Sequence, residues 1–258
     1  MVLRPQTIAA PATAQAFLQG LQGCHIANWQ RRGKYLLGQL QRQGQPGGWW
    51  GVHLRMTGQM LWLDATEPLQ THTRVRIFFE NDRELRFVDP RTFGQMWWVA
   101  PPQPPEAVIR TLQTLGPEPL SPGFSPGYLL QRLGKIRRPI KTTLLDQAIV
   151  AGLGNIYADE ALFLSHIHPC TPSYTLTPAQ GEALHAAIVQ VLHASLQEGG
   201  TTLRDFRNLK GLNGNYGSQA WVYGRFKQPC RRCATEIDRL KLSGRSSHFC
   251  PQCQPFLT

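Results

Sequence analysis

Along the first hundred residues, apolar and polar positions alternate with a period of two. Trp50, Val52, Leu54 and Met56 share one side of such a stretch. The runs TRVRIFFE and RELRFVDP flank Asn81 and Asp82, a pair suited to a tight hairpin turn, and FGQMWWVA continues the strand texture. One short helix interrupts it. Residues 12–20 set Phe17 and Leu18 on one side with Leu21, and Gly20 and Gly23 stop the helix. APPQPPE, residues 100–106, reads as a linker, because four prolines cannot sit inside a sheet.

Beyond the linker the period becomes helical. PIKTTLLDQAIV spaces Ile140, Leu144, Leu145 and Ala148 for one helix face, with Pro139 in the first turn. AGLGN breaks that helix, and NIYADEALFLS starts another with Asn155 as its N-cap. Thr177-Pro178-Ala179-Gln180 has capping-box form. It opens a long helix through Leu184, Ile188, Val191 and Leu192, which Gly199 and Gly200 end. From about Trp221 the chain turns strand-like again. The pattern predicts an α+β, multidomain protein divided at 1–106, 107–220 and 221–258.

Composition changes the picture in one respect. The 258 residues carry 27 Lys and Arg against 16 acids, a formal net charge of +11. That excess points to a polyanionic partner. It is also uneven: residues 128–141 hold five basic side chains and no acid, and residues 201–258 hold ten against three. Two such clusters read as two walls of one groove or as two separately solvated faces. No apolar run is long enough to span a membrane and no secretory signal is visible, so a cytoplasmic protein is expected.

Four of the six cysteines form two close pairs: Cys230 and Cys233, then sixteen residues, then Cys250 and Cys253. Each pair bites a metal from a tight knuckle. Four thiolates close a tetrahedral zinc shell with no place for water, so the zinc is structural. Cys24 and Cys170 stand alone and read as inert buried thiols. GLGN, residues 152–155, lacks the third glycine and the preceding strand of a dinucleotide fingerprint. A helix start there suits a phosphate or is an ordinary connection. Lys34, amid Arg31, Arg32 and Tyr35, sits on a predicted strand whose charges are either a solvated edge or a binding row. DPRTFG presents Arg91 and Phe93 on a turn; Phe93 either enters the core or inserts into a duplex.

QRRGKYLL, HLRMTGQM, DPRTFG, LGPEPL, RPIKTTLLDQAIVAGLGNIYADEALF, IHP, EGGTT, VYGR and the finger ending GRSSHFCPQC run in this order along nearly the whole chain. In them the chain resembles the formamidopyrimidine-DNA glycosylase family, bacterial enzymes that remove oxidised purines from DNA. The resemblance implies a β-sandwich N-terminal domain, incomplete here, a helix–two-turns–helix domain and a C-terminal zinc finger hairpin, with DNA between them. It implies base-excision repair: excision of 8-oxoguanine and formamidopyrimidines, then abasic-site lyase chemistry by β/δ-elimination.

The resemblance also assigns roles. Lys34 meets a phosphate near the reaction centre and assists elimination. Arg245, at the finger tip, grips phosphate at the lesion. His72 and Arg91 contact DNA, and Met56, Arg91 and Phe93 form a wedge that fills the hole left by a flipped nucleotide. Lys141 and Asn155 contact phosphate, joined by Arg137 and Arg138, and Glu160 is a buried acid. LKGLNGNYGSQA, residues 209–220, resembles a mobile loop that closes over the flipped base. The implied partner is double-stranded DNA with oxidised bases or abasic sites, bound by a monomer associated with the nucleoid.

One departure bears on the chemistry. The family opens Met-Pro-Glu-Leu-Pro-Glu, and its terminal proline is the amine nucleophile. This chain reads MVLRPQTIAAP, and Pro5 is not equivalent. The expectation is a chain that starts late, binds abasic DNA, traps little covalent complex and exposes apolar surface where a helix and strand are absent. The alternatives are a damaged-DNA-binding protein without chemistry, an endonuclease-eight-like glycosylase for oxidised pyrimidines, and a zinc-ribbon RNA-binding protein.

Overall fold

A computed structural model describes residues 1–202 and 208–256; residues 203–207 of the expected middle segment and 257–258 of the last lie outside that description. The chain falls into two compact units, Met1–Thr114 with Thr201–Gly214, and Leu115–Gly200 with Asn215–Thr258.

The first unit holds helix α1 (Ala14–Leu21) and seven strands: β1 (His25–Arg32), β2 (Tyr35–Arg42), β3 (Gln45–His53), β4 (Gln59–Asp64), β5 (Thr73–Phe78), β6 (Arg83–Val88) and β7 (Gln95–Val99). They pair as a sheet of order β1-β2-β3-β7 and a sheet of order β4-β6-β5. Leu40, Trp50, Val52 and Met96 from the first sheet pack with Met60, Val75, Leu85 and Phe87 from the second, and Phe17 of α1 joins them. The result is a β-sandwich. The β5–β6 hairpin turns at Asn81 and Asp82, both left-handed with φ of 58° and 54°, as a primed turn requires.

In this unit local expectations shift in three places. Lys34 is not on a strand: Arg32 pairs with Tyr35, so Gly33 and Lys34 are the turn joining β1 to β2, with Gly33 at φ 55°. Gly20 does not stop α1. It lies inside the helix, where a Cβ would come within 2.2 Å of the Trp98 ring, so its bareness lets α1 press onto β7. The Pro-rich stretch is docked rather than free. It runs into the short helix α2 (Pro105–Val108), Ile109 and Leu112 are buried, and Tyr35 Oη lies 2.6 Å from Thr111 Oγ1. At the start of the chain Val2 bridges Val75, and an apolar groove of about 1090 Å³ opens beside it, lined by Met1, Leu18, Ile26, Trp62, Ile77 and Phe79 among others.

The second unit is helical with a terminal hairpin: α3 (Pro126–Leu133), α4 (Ile140–Leu144), α5 (Asn155–Leu164), α6 (Pro178–Gln197), α7 (Tyr216–Gln219), β8 (Asp238–Leu242) and β9 (Arg245–Phe249). Leu129, Leu144, Leu162, Leu184 and Ile188 are among the residues that close its core. The capping box on α6 forms in full: Thr177 Oγ1 accepts from Gln180 N at 3.2 Å, and Gln180 Oε1 accepts from Thr177 N at 3.0 Å.

The helix expected through Ala148 ends at Leu144 instead. Asp146 Oδ1 accepts from Ala148 N, Gln147 Oε1 accepts from Gly152 N, and Gln147 Nε2 donates to Leu153 O, at 3.0, 2.9 and 3.0 Å. These side chains satisfy peptide groups that a continuing helix would have used, so two tight turns replace it. Gly154, extended at φ −113° and ψ 177°, is the N-cap of α5, and Asn155 is its first helical residue. Residues 216–219, inside the stretch expected to be a mobile loop, are helix α7, with Tyr216 buried in the core.

Candidate nucleic-acid interface

In the first unit, the DPRTFG turn is built on one buried carboxylate. Asp89 is fully buried. Its Oδ1 accepts from Thr57 Oγ1 and from Arg91 N, and its Oδ2 accepts from Gly94 N at 2.7 Å. The Thr57 bond ties the Met56 segment to the turn. Gly94 must be glycine, since a Cβ would lie 2.3 Å from the Phe87 ring. On this base stand Met56, 70% exposed, and Phe93, 49% exposed, with Arg91 between them. The Arg91 guanidinium lies 4.6 Å from the Phe93 ring centroid, and its Nη1 is 3.4 Å from Met56 Sδ. Phe93 therefore does not enter the core. Two apolar side chains are held out in water around a cation, an arrangement suited to entering a base stack.

His72 borders this turn. It is exposed at φ 69°, and its carbonyl accepts from Asp89 N at 3.0 Å. Behind it Arg74 is nearly buried, with Nε donating to Asp89 O at 2.7 Å and Nη2 to Pro90 O at 3.1 Å. Lys34 is exposed on its turn. Burial, helped by the charges of Arg55 and Lys34, pushes the His53 imidazole down to about 4, so that ring is neutral. Thr57, Asp89 and Arg74 were not singled out from sequence. The one signal was Asp before Pro-Arg, since aspartate readily bonds the backbone of a following turn.

In the second unit, three further expected residues meet. Asn155 Nδ2 donates to Ser246 O at 3.1 Å, joining α5 to the β8–β9 hairpin. Ser243 and Gly244 make the hairpin tip, at φ 46° and 78°, and Arg245 follows, exposed. Lys141 departs from expectation. Its ammonium is buried and paired with Asp159, so it does not reach out to a phosphate. Burial pulls its pKa down while Asp159 holds it up, and the nearby Arg245 charge adds to the lowering. Asp159 Oδ2 also accepts from His248 N at 3.0 Å. Lys141 is thus a strut beneath the finger tip. Arg137 and Arg138 are exposed, although Arg138 pairs with Asp146.

Glu160 makes the second joint. Its carboxylate is buried and accepts from Trp221 N, Val222 N and Tyr223 N at 2.7, 3.0 and 2.9 Å. Burial pushes this carboxyl up against the pull of those three donors. Sequence resemblance marked the acid; its partners required the fold.

The four paired cysteines converge. Their Sγ atoms all lie within 4.8 Å of one another, with Cys230–Cys253 at 3.9 Å, Cys233–Cys250 at 3.5 Å and Cys233–Cys253 at 3.5 Å. A tetrahedral zinc with bonds of about 2.3 Å needs sulfur–sulfur edges of about 3.8 Å. The set fits one zinc and leaves no position for water. Arg232 N and Cys253 N each donate to a cysteine sulfur at 3.4 Å, which suits thiolate ligands.

Comparison with known proteins is consistent along the chain. Models of the formamidopyrimidine-DNA glycosylase N-terminal domain, of its H2TH domain, and of a zinc finger found in FPG and IleRS match residues 1–96, 115–207 and 227–255. Formamidopyrimidine-DNA glycosylase of a Synechococcus species is 62% identical over 98% of this chain and 90% of its own length. The same-named protein of Acaryochloris marina is 61% identical over the same shares. Lactococcus lactis Fpg, solved in complex with DNA containing an abasic site, superposes with a TM-score of 0.89 at 31% identity, covering 99% of this chain and 91% of that one. Thermus thermophilus MutM (Fpg) gives 0.84 at 39%, covering 98% and 90%.

Proposed function

The chain belongs to the formamidopyrimidine-DNA glycosylase family, and from that premise we propose that it is a base-excision repair glycosylase that removes oxidised purines and carries abasic-site lyase chemistry. One observation supports this most: the exposed Met56, Arg91 and Phe93 triad, anchored through Asp89. A base inside a duplex is out of reach, and flipping it out costs a few kcal/mol. Side chains that fill the vacated stack offset that cost. A merely basic surface would not need apolar side chains held out around a cation.

The remaining groups take distinct parts. His72, Asn155, Arg137, Arg138 and Arg245 hold phosphates, with Lys34 beside the reacting sugar. Lys141 acts from below, through Asp159. The zinc holds the hairpin that carries Arg245. Segments 1–106, 107–220 and 221–258 serve as wedge-bearing, phosphate-holding and finger modules. The protein works as a monomer in the bacterial cytoplasm; among the described residues no helix is long and apolar enough to cross a membrane. The family's covalent step uses an N-terminal proline amine. Pro5 lies in a 3-10 turn with its nitrogen inside a peptide bond, so it cannot take that part.

The test has two arms. In titration, the chain should prefer a duplex with an abasic-site analogue over an intact one; equal affinity would refute the repair reading. In borohydride trapping, a version given a Pro-Glu start should form covalent complex and release 8-oxoguanine. Binding without trapping would leave a damage-binding protein, and preferential release of oxidised pyrimidines would favour endonuclease-eight-like specificity.

A further inference from the structure

Arg74 is 8% exposed, yet among the described residues no carboxylate pairs with it. Burying a guanidinium on neutral acceptors is costly, and such an arrangement persists where geometry depends on it. Its three partners are specific. Nε and Nη2 donate to the carbonyls of Asp89 and Pro90, which lead directly into Arg91 and Phe93. The same Nη2 lies 3.4 Å from His72 Nδ1. A guanidinium has donors and no acceptor, so this contact requires a lone pair on Nδ1. A ring that accepts there carries its proton on Nε2, the one ring nitrogen left to donate elsewhere. His72 itself is held at φ 69°, and its carbonyl accepts from Asp89 N, so a second bond ties the same two segments.

We propose that Arg74 is a positioning residue for damaged DNA: it locks His72 and the Asp89–Gly94 turn into one rigid piece and sets the His72 tautomer that donates from Nε2. The proposal rests on the reading of His72 and Phe93 as DNA contacts. Arg74 itself meets no phosphate. It acts by fixing where two contacts stand relative to each other, so that binding does not have to order them.

The test uses the full chain and the variants Arg74→Ala, Arg74→Lys, His72→Ala and Phe93→Ala. Affinities for an abasic-analogue duplex and an intact duplex are measured across a salt series, beside zinc content and thermal melting. Arg74→Ala should lower the preference for the abasic duplex about tenfold, the scale of one hydrogen bond to a charged group. The slope of log K against log salt should stay unchanged, because no phosphate contact is lost. In a His72→Ala, Phe93→Ala background the further effect of Arg74→Ala should fall below about twofold, as expected of a residue acting through its neighbours. Imidazole nitrogen NMR should show His72 protonated at Nε2 in the parent and mixed in the variant.

Arg74→Lys, whose single ammonium cannot bridge two carbonyls and a ring, should behave like Arg74→Ala and serves if the latter fails to fold. A slope change of about one would mean direct phosphate contact and overturn the proposal. So would an unaltered tautomer. If His72→Ala and Phe93→Ala lower the preference and the Arg74 variants do not, the proposal alone falls. If none of them does, the DNA reading falls and takes the proposal with it.

Discussion

Replacing Asp159 by Asn isolates the worth of the buried charge beneath the finger tip. Asparagine has the same shape and keeps an oxygen for His248 N, which Asp159 now accepts at 3.0 Å. What is lost is the anion facing Lys141, in a pair whose side chains are 0% and 1% exposed. The stranded ammonium has two outcomes. Left charged without its partner, it costs about 3–5 kcal/mol. Deprotonated, it costs about 1.36 kcal/mol for each pH unit below its free pKa of about 10.4, or about 4.6 kcal/mol at pH 7. The protein takes the cheaper route, so Asp159→Asn should destabilise the second unit by about 3–4.6 kcal/mol.

The sign with pH follows. In the variant the Lys141 pKa is lower folded than unfolded, so the unfolded chain binds the extra proton and stability rises with pH. Where neutral Lys141 prevails, the deficit should shrink by about 1.4 kcal/mol per pH unit from 7 to 9. Because two units need not melt together, the assay is amide exchange read on α5 and β9 peptides of the zinc-loaded chain. Lys141→Met combined with Asp159→Asn removes both charges and should recover most of the loss. A deficit below about 1 kcal/mol, or a double variant as unstable as the single, would show that the pair is not the strut described.

Metal analysis should find one zinc per chain, and Cys230→Ser should abolish it and weaken DNA binding; retained zinc would dismiss the four-cysteine site. Such zinc sites contribute about 10–16 kcal/mol of apparent binding energy, so chelation should unfold the β8–β9 hairpin and not merely loosen it. Arg245→Ala should weaken abasic-duplex binding more than Arg4→Ala does and make the salt slope shallower by about 0.9; equal effects would remove Arg245 from the phosphate grip. His53 sits at about 4 in the fold, so the unfolded chain takes up its proton first as pH drops. Stability should therefore decline by about 3 kcal/mol between pH 6.5 and 4, and His53→Asn should flatten that decline in urea titrations; an unchanged slope would put the acid sensitivity elsewhere.

What the sequence determined by itself lies in short-range periodicity and in spacing. A period of two became the strands of the sandwich, a capping box became the start of α6, and each Cys-x-x-Cys pair became half of one closed sulfur shell, because strand alternation, cap and cysteine knuckle are each set by residues a few positions apart. Resemblance singled out Met56, Arg91, Phe93 and Arg245, and all four are exposed. The tertiary structure decided what depends on a partner far along the chain. Lys141 looks like any exposed lysine in a basic cluster until α5 brings Asp159 against it. The helix through Ala148 is as regular in pattern as α6, yet Asp146 and Gln147 divert it by bonding peptide groups across the turn. Asp89 and Arg74 are invisible as supports of the Arg91–Phe93 turn until β5 and the turn after β6 meet. A buried charge takes its meaning from the groups that replace its water, and only the folded chain selects those groups.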